Sequence, residues 1–269
     1  MDLTSLLLAG AAAGTAAGLL GIGGGVIIVP VLSMVFAAEG VGADVLIKVA
    51  VGTSLATIAV TAVSSILAHH RRGAVRWPLV GTMTPGVVLG SLLGAVLADL
   101  IPGYWLTVGF IVFLCGVSLQ MAWGTVTAAH GLPGRTTLRL VSAGVGMISA
   151  MMGIGGGALH VPYLSWRGVP VKNAIATAAA IGFPLAVAST IGFVTTGLNE
   201  QGLPPHSLGY INLPAFGGIV AASILFAPLG ARLAHALPDK LLKRGFAVFL
   251  FILAVRMAYD LAQQPTASL

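Results

Sequence analysis

The pentapeptide Gly-Ile-Gly-Gly-Gly occurs twice, at 21–25 and again at 153–157, each time inside a strongly apolar segment. Consecutive glycines oppose a regular helix, since each costs about 1 kcal/mol relative to alanine there. Broken backbone at membrane depth is tolerated only where it is buried in protein or lines a cavity. Two such breaks, one in each half of a chain, are the sequence signature of a transporter built from a duplicated unit around a central site.

Composition supports a membrane reading. Of 269 residues, 57% are hydrophobic and 7% charged, and the mean hydropathy is +1.02. A soluble domain averages about 25% charged residues. The 37 glycines suit helices packed closely in lipid through small residues. Only Asp2 precedes Leu3, with no basic flank, so no cleaved leader is expected. A single cysteine, Cys115, excludes an intrachain disulfide and a thiolate metal cluster. The net charge of +6 is read as basic loops that orient membrane spans, with the lipid bilayer rather than nucleic acid as partner.

Eight apolar segments are expected, at 3–36, 49–67, 77–97, 104–125, 140–166, 174–196, 208–234 and 246–261. Most are near the ~20 residues a spanning helix needs. The first and fifth are longer, and they carry the glycine runs. A straight helix over 3–36 would be about 50 Å long, against a hydrocarbon core of about 30 Å. Breaking it at the glycines removes the excess.

The two halves align. Gly14, Gly21, Pro30 and Leu32 match Gly146, Gly153, Pro162 and Leu164 at a separation of 132. Ser64 and Ile66 match Ser189 and Ile191 at 125, and Pro78, Gly94, Pro102, Gly109, Phe110 and Met121 match Pro214, Gly230, Pro238, Gly245, Phe246 and Met257 at 136. This is an internal duplication, with a first repeat at 1–126, a connector at 127–138 and a second repeat at 139–269.

Charge decides the topology. If segments one and five crossed the membrane once each, the basic loops would be split between its two faces. If instead each dips in at its glycines and returns, then Arg71, Arg72, Arg76, Arg135, Arg139, Arg167, Lys172, Lys240, Lys243 and Arg244 share one face, with Arg232 towards it. Asp2, Glu39, Asp44, Asp99, Glu200 and Asp260 share the other, and only Lys48, Arg256 and Asp239 depart. That separation favours re-entrant segments. Each half then crosses an odd number of times and the repeats are inverted. Both termini are expected outside the cytoplasm, with the basic loops inside. The expected fold is an all-α polytopic membrane protein of two inverted repeats.

A helix restarting after the glycines presents free N–H groups and the positive end of its dipole, which attracts an anion. Gly23, Gly24 and Gly25, with Gly155, Gly156 and Gly157, are therefore candidate substrate contacts. The alternative is a tight turn that needs only positive φ. Segment two carries AVGTS at 50–54, matched at a separation of 125 by IATAA at 175–179. Thr53, Ser54 and Thr177 are candidate hydroxyl donors to an oxyanion, against the alternative of helix packing with back-bonding. Thr57, Thr61, Ser64, Ser65, Ser189 and Thr190 extend the polar tendency. His160, matched by Ile28, is a candidate for proton coupling, against a neutral histidine bonded to backbone. Lys48 reads as an interfacial snorkeller, and Trp77, Trp105, Trp123 and Trp166 as interface anchors. No metal site, cofactor site or enzymatic motif is found, and no enzyme activity is expected.

The stretches GTAAGLLGIGGGVIIVPVL (14–32) and GMISAMMGIGGGALHVPYL (146–164), with AVGTS and its degenerate partner, resemble the TauE/SafE sulfite exporter family, the TSUP membrane transporter permeases. The resemblance covers almost the whole chain. It implies a carrier of the bacterial inner (cytoplasmic) membrane for a small sulfur-containing anion such as sulfite, thiosulfate, sulfoacetate or another organosulfonate. The chain departs from the family's pattern in having Ala178-Ala179 after Thr177 and a histidine at 160. Competing classes are a passive anion channel and a non-transporting membrane scaffold.

Overall fold

A computed structural model describes residues 10, 11, 15, 24–123, 131–236 and 239–263, with backbone alone at 123, 227–236, 239–243 and 246. Gly14, Gly21, Gly23 and Asp2 lie outside the described residues, as does the start of the connector at 127–130. The rest is helical apart from short connections and one small hairpin. The first repeat contains α1 (Gly25–Ala38), α2 (Ala43–Arg71), α3 (Trp77–Leu100) and α4 (Gly103–Trp123). The second contains α5 (Arg135–Met151), which begins inside the connector expected at 127–138, and then α6 (Gly157–Trp166), α7 (Val171–Gly197), α8 (Leu213–Ala236) and α9 (Asp239–Ala262). Strands β1 (Ser207–Leu208) and β2 (Ile211–Asn212) pair antiparallel between α7 and α8.

Among the described residues, four helices are long and apolar enough to cross a bilayer: α2, α3, α4 through Ala122, and α7. Helices α1 and α6, with 14 and 10 residues, reach only about 21 and 15 Å. Neither can cross alone. Each carries a proline at its sixth position, Pro30 and Pro162, as the duplication requires.

Helix contacts fix the directions. Gly86, Gly90 and Gly94 of α3 lie successively against Arg139, Ala143 and Met147 of α5, so the two helices run parallel. A methyl group at Gly90 would overlap the Ala143 carbonyl. This is the small-residue packing expected where lipid supplies no hydrophobic drive between helices. An adjoining face of α3, about a quarter turn round the helix, presents Leu89, Leu93 and Leu100, which are 63%, 59% and 72% exposed. Its two faces thus differ in side-chain size rather than polarity. In the same way Gly10 of the first repeat approaches Ile219 and Ala222 of α8 in the second, and the Ser223 hydroxyl donates to the Gly10 carbonyl at 3.3 Å.

The start of α3 marks the basic end of the molecule, where Asn173 of α7 donates to the Ala74 carbonyl at 2.8 Å. Helix α5 therefore enters from the basic end, and α6 returns to it before α7 begins. Helix α1 behaves oppositely. Its last residues lead into α2, whose Lys48 donates to the Asp99 carbonyl at the acidic end, at 2.6 Å. The all-α architecture is observed, segment five re-enters as the charges lead one to expect, and α1 runs opposite to α6; the limb that precedes α1 lies mostly outside the described residues.

Candidate functional site

The glycine turns from the two repeats meet in the middle of the bundle. A Cβ on Gly25 would stand 2.5 Å from the Gly153 carbonyl oxygen and 3.0 Å from the Ile154 Cα. The same carbonyl accepts the Ser54 hydroxyl at 2.8 Å, so a side chain of the first repeat pins the turn of the second.

The glycines have different duties. Gly153 has φ 65° and ends α5: its N–H donates to Ala150 and the Ile154 N–H to Ser149, at 3.2 and 3.0 Å. That is a Schellman closure, which needs a left-handed residue. Gly24, with φ 70°, holds a left-handed position before α1. Gly156 precedes α6 at an ordinary φ of −58°, and neither Gly155 nor Gly157 has positive φ. Turn geometry explains Gly153 and Gly24 but not the other three. Space is the reason at Gly156, where a Cβ would meet His160 Nδ1 at 2.9 Å and the Gly182 Cα at 3.5 Å. The opening N–H groups of α6, at Gly157, Ala158 and Leu159, have no acceptor within the helix.

His160 is fully buried and stands over this helix start. Its Nδ1 lies 2.9 Å from the Gly156 carbonyl, and its Nε2 lies 3.3 Å from the Ser142 hydroxyl. A carbonyl only accepts, so Nδ1 carries the proton, and in the neutral ring Nε2 accepts from Ser142. Both ring nitrogens are engaged.

Thr53 and Thr177 are brought into matching roles. Thr53 Oγ1 accepts the Asn212 N–H at 3.0 Å, and Thr177 Oγ1 accepts the Arg76 N–H at 3.1 Å. Arg76 precedes α3 and Asn212 precedes α8. Each threonine therefore holds the N–H just before α3 or α8, in each case a helix of the opposite repeat, one at the basic end and one at the acidic end. The alignment at 125 sets Gly52 opposite Thr177; by role the partner is Thr53, one residue on. Asn212 also caps α8, accepting the Ala215 N–H at 3.0 Å.

The acidic end has a second tie. Tyr210, fully buried, donates to Asp99 Oδ1 at 2.6 Å and also lies 3.2 Å from Glu200 Oε2. Burial and the two carboxylates raise its pKa well above the ordinary tyrosine value, so it stays a donor. Lys48 is 8% exposed and lies over the Tyr210 ring, 5.7 Å from its centroid. It is not the snorkeller expected from its place in the sequence, because its ammonium bonds the Asp99 carbonyl near the C-terminal end of α3 instead of reaching for water. The other hydroxyls on these helices mostly turn inward on their own backbone. Thr57, Thr61 and Thr190 each donate to the carbonyl four residues back. Trp77, Trp105 and Trp166 are exposed near helix ends.

Sequence reading overlooked Ser149, which is fully buried with no hydrogen-bond partner, as is Ser189. Its signal was its seven-residue spacing from Ser142, which sets both on one helix face. Among the described residues no group of three metal-ligating side chains occurs.

Comparison with known proteins agrees with this architecture. The family profile described as Sulfite exporter TauE/SafE matches residues 6–257. A probable membrane transporter protein of Haemophilus influenzae is 36% identical over 253 residues, covering 93% of this chain and 96% of the relative. The probable membrane transporter protein YunE of Bacillus subtilis is 30% identical over 246 residues, 83% and 89% of the two chains. MJ0441 of Methanocaldococcus jannaschii, also a probable membrane transporter protein, is 26% identical over 263 residues, 94% of each. No solved structure matches. The chain is a multi-pass membrane transporter, and it belongs to the sulfite exporter TauE/SafE family.

Proposed function

We propose that the protein is a secondary carrier for a small sulfur-containing anion (sulfite, thiosulfate, sulfoacetate or another organosulfonate), working by alternating access. Its place is the bacterial inner membrane, with the basic end in the cytoplasm and both termini on the far side. The observation that carries this reading is the pair of threonine ties. Each closes one end of the bundle between repeats, and a carrier needs a separate closure on each side of its site. Membership of a family of sulfite exporters supports the sulfur anion. The opening N–H groups of α6 offer an anion neutral donors, with Gly23, Gly24 and Gly25 contributing from the other repeat. Release stays feasible because no full charge binds the ligand. A coupling proton at His160 would reverse the Ser142 hydrogen bond, since a doubly protonated ring only donates.

The test is counterflow in proteoliposomes. Thiosulfate inside the vesicles is expected to accelerate uptake of labelled thiosulfate several-fold. Uptake indifferent to internal thiosulfate would identify a channel, and no uptake with any of the four anion types would leave a scaffold.

A further inference from the structure

The sequence offers Thr53, Ser54 and Thr177 as hydroxyl donors to an anion, and in the structure all three oxygens are engaged in bonds within the protein. Thr53 and Thr177 receive N–H groups from the opposite repeat, and Ser54 gives its proton to Gly153. Among the described residues, the buried hydroxyls with no partner at all are on Ser149, Tyr163, Ser165 and Ser189; Tyr163 and Ser165 stand at the far end of α6 from its opening N–H groups, which leaves Ser149 and Ser189. Both residues are wholly buried, and neither oxygen has any partner. A buried hydroxyl without a partner is uncommon and calls for a water or a ligand.

Helical register places both beyond the start of α6. Ser142 faces His160, the fourth residue of α6. Ser149 lies two turns further along the same face of α5, about 10 Å at 1.5 Å per residue. Helix α6 runs back towards the basic end, so Ser149 stands about 6 Å past its first N–H groups by the same rise. On α7, Gly182 touches the start of α6, with the Gly156 nitrogen 3.5 Å from where a Cβ would stand. Ser189 is again two turns on, along the same face and towards the acidic end. The positive end of α6 therefore points into the interval between α5 and α7 in which these two hydroxyls stand. The residue bearing Ser149's hydroxyl also supplies the carbonyl that closes α5, which fixes its position relative to the glycine turn.

Resting on the carrier reading, we propose that Ser149 and Ser189 are anion ligands: their hydroxyls, together with the opening N–H groups of α6, bind the oxyanion end of the transported sulfur compound. The binding site then belongs chiefly to the second repeat, and the threonines serve closure rather than coordination.

The test uses the purified full chain, with thiosulfate and sulfoacetate as probes in calorimetry and thermal-shift measurements. Ser149→Ala and Ser189→Ala are each expected to weaken binding of a probe about tenfold to a hundredfold, the range for one hydrogen bond to a charged partner. Each is also expected to leave the ligand-free protein as stable or more so, because a desolvated hydroxyl without a partner disappears. Ser189→Thr keeps a hydroxyl and should recover most of the affinity. Ser118→Ala, which breaks a buried bond to the Ala247 carbonyl at a distant helix pair, controls for general loosening. Wild-type affinity in the Ser149→Ala, Ser189→Ala double variant would overturn the proposal while leaving the carrier intact. A wild-type chain that binds neither probe would remove the sulfur-anion reading, and this site with it.

Discussion

Replacing threonine by valine keeps the shape of the side chain and removes the acceptor. At Thr53 this strands the buried Asn212 N–H, and at Thr177 the part-buried Arg76 N–H, with the smaller loss at Thr177. The expected loss is about 1–3 kcal/mol of stability each, read from thermal or denaturant unfolding in detergent. Thr53→Val should also open the acidic end selectively, raising the reactivity of a cysteine placed at Ser54 towards a reagent added on that face. Thr177→Val should not. Equal reactivity in the two variants would deny the threonines separate ends. At Gly24, φ of 70° makes Gly24→Ala cost about 1–2 kcal/mol through left-handed strain. Gly156→Ala carries no such strain and acts through its 2.9 Å approach to His160 Nδ1. The buried His160 ring must shift to admit it, so transport is expected to fall together with a loss of about 1–3 kcal/mol in unfolding.

Among the elements, the hairpin of β1 and β2 is the smallest and the most heavily tied. Its Tyr210 backbone lies against Gly52 of α2 and Gly197 of α7, while the hydroxyl reaches Asp99 and Glu200. Because the Tyr210 pKa is raised, the folded chain keeps this proton at pH values where an unfolded tyrosine, near 10, has lost it. The native state then binds more protons than the unfolded one, so stability falls as pH rises above about 10. Below that pH the group contributes no slope. Melting curves between pH 8 and 11 should show a steeper alkaline decline in the wild type than in Tyr210→Phe, and parallel declines would remove the tyrosine from the account. None of this hairpin was foreseen in the sequence, where 208–212 read as the start of a span. Two-residue strands leave no alternation to detect, and the contacts of Tyr210 join residues 111 and 10 positions apart.

Much of the whole-molecule plan was legible because it is written in periodic features: glycine runs, proline positions and the sorting of arginines from acids. Re-entry of segment five follows from Arg139 and Lys172 sharing an end, and the helix contacts of α3, α5 and α7 agree. The cross-repeat bonds were not legible, since Thr53 and Asn212 are 159 residues apart and nothing in either neighbourhood names the other. The orientation has its own test. Single cysteines at Glu39 and Glu200 in a Cys115→Ala background should label from outside intact cells, and those at Arg72, Arg135 and Lys172 should not. Labelling of 39 and 200 from opposite faces would contradict the shared acidic end.

The two ends are shut by matching latches. At the basic end the side-chain ties between repeats are Thr177 to Arg76 and Asn173 to Ala74. At the acidic end they are Thr53 to Asn212 and Tyr210 to Asp99. An empty carrier divides its time between two doorways according to the difference in what shuts them. Two bolts on each door keep that difference small, so a modest bias from cargo is enough to swing such a machine either way.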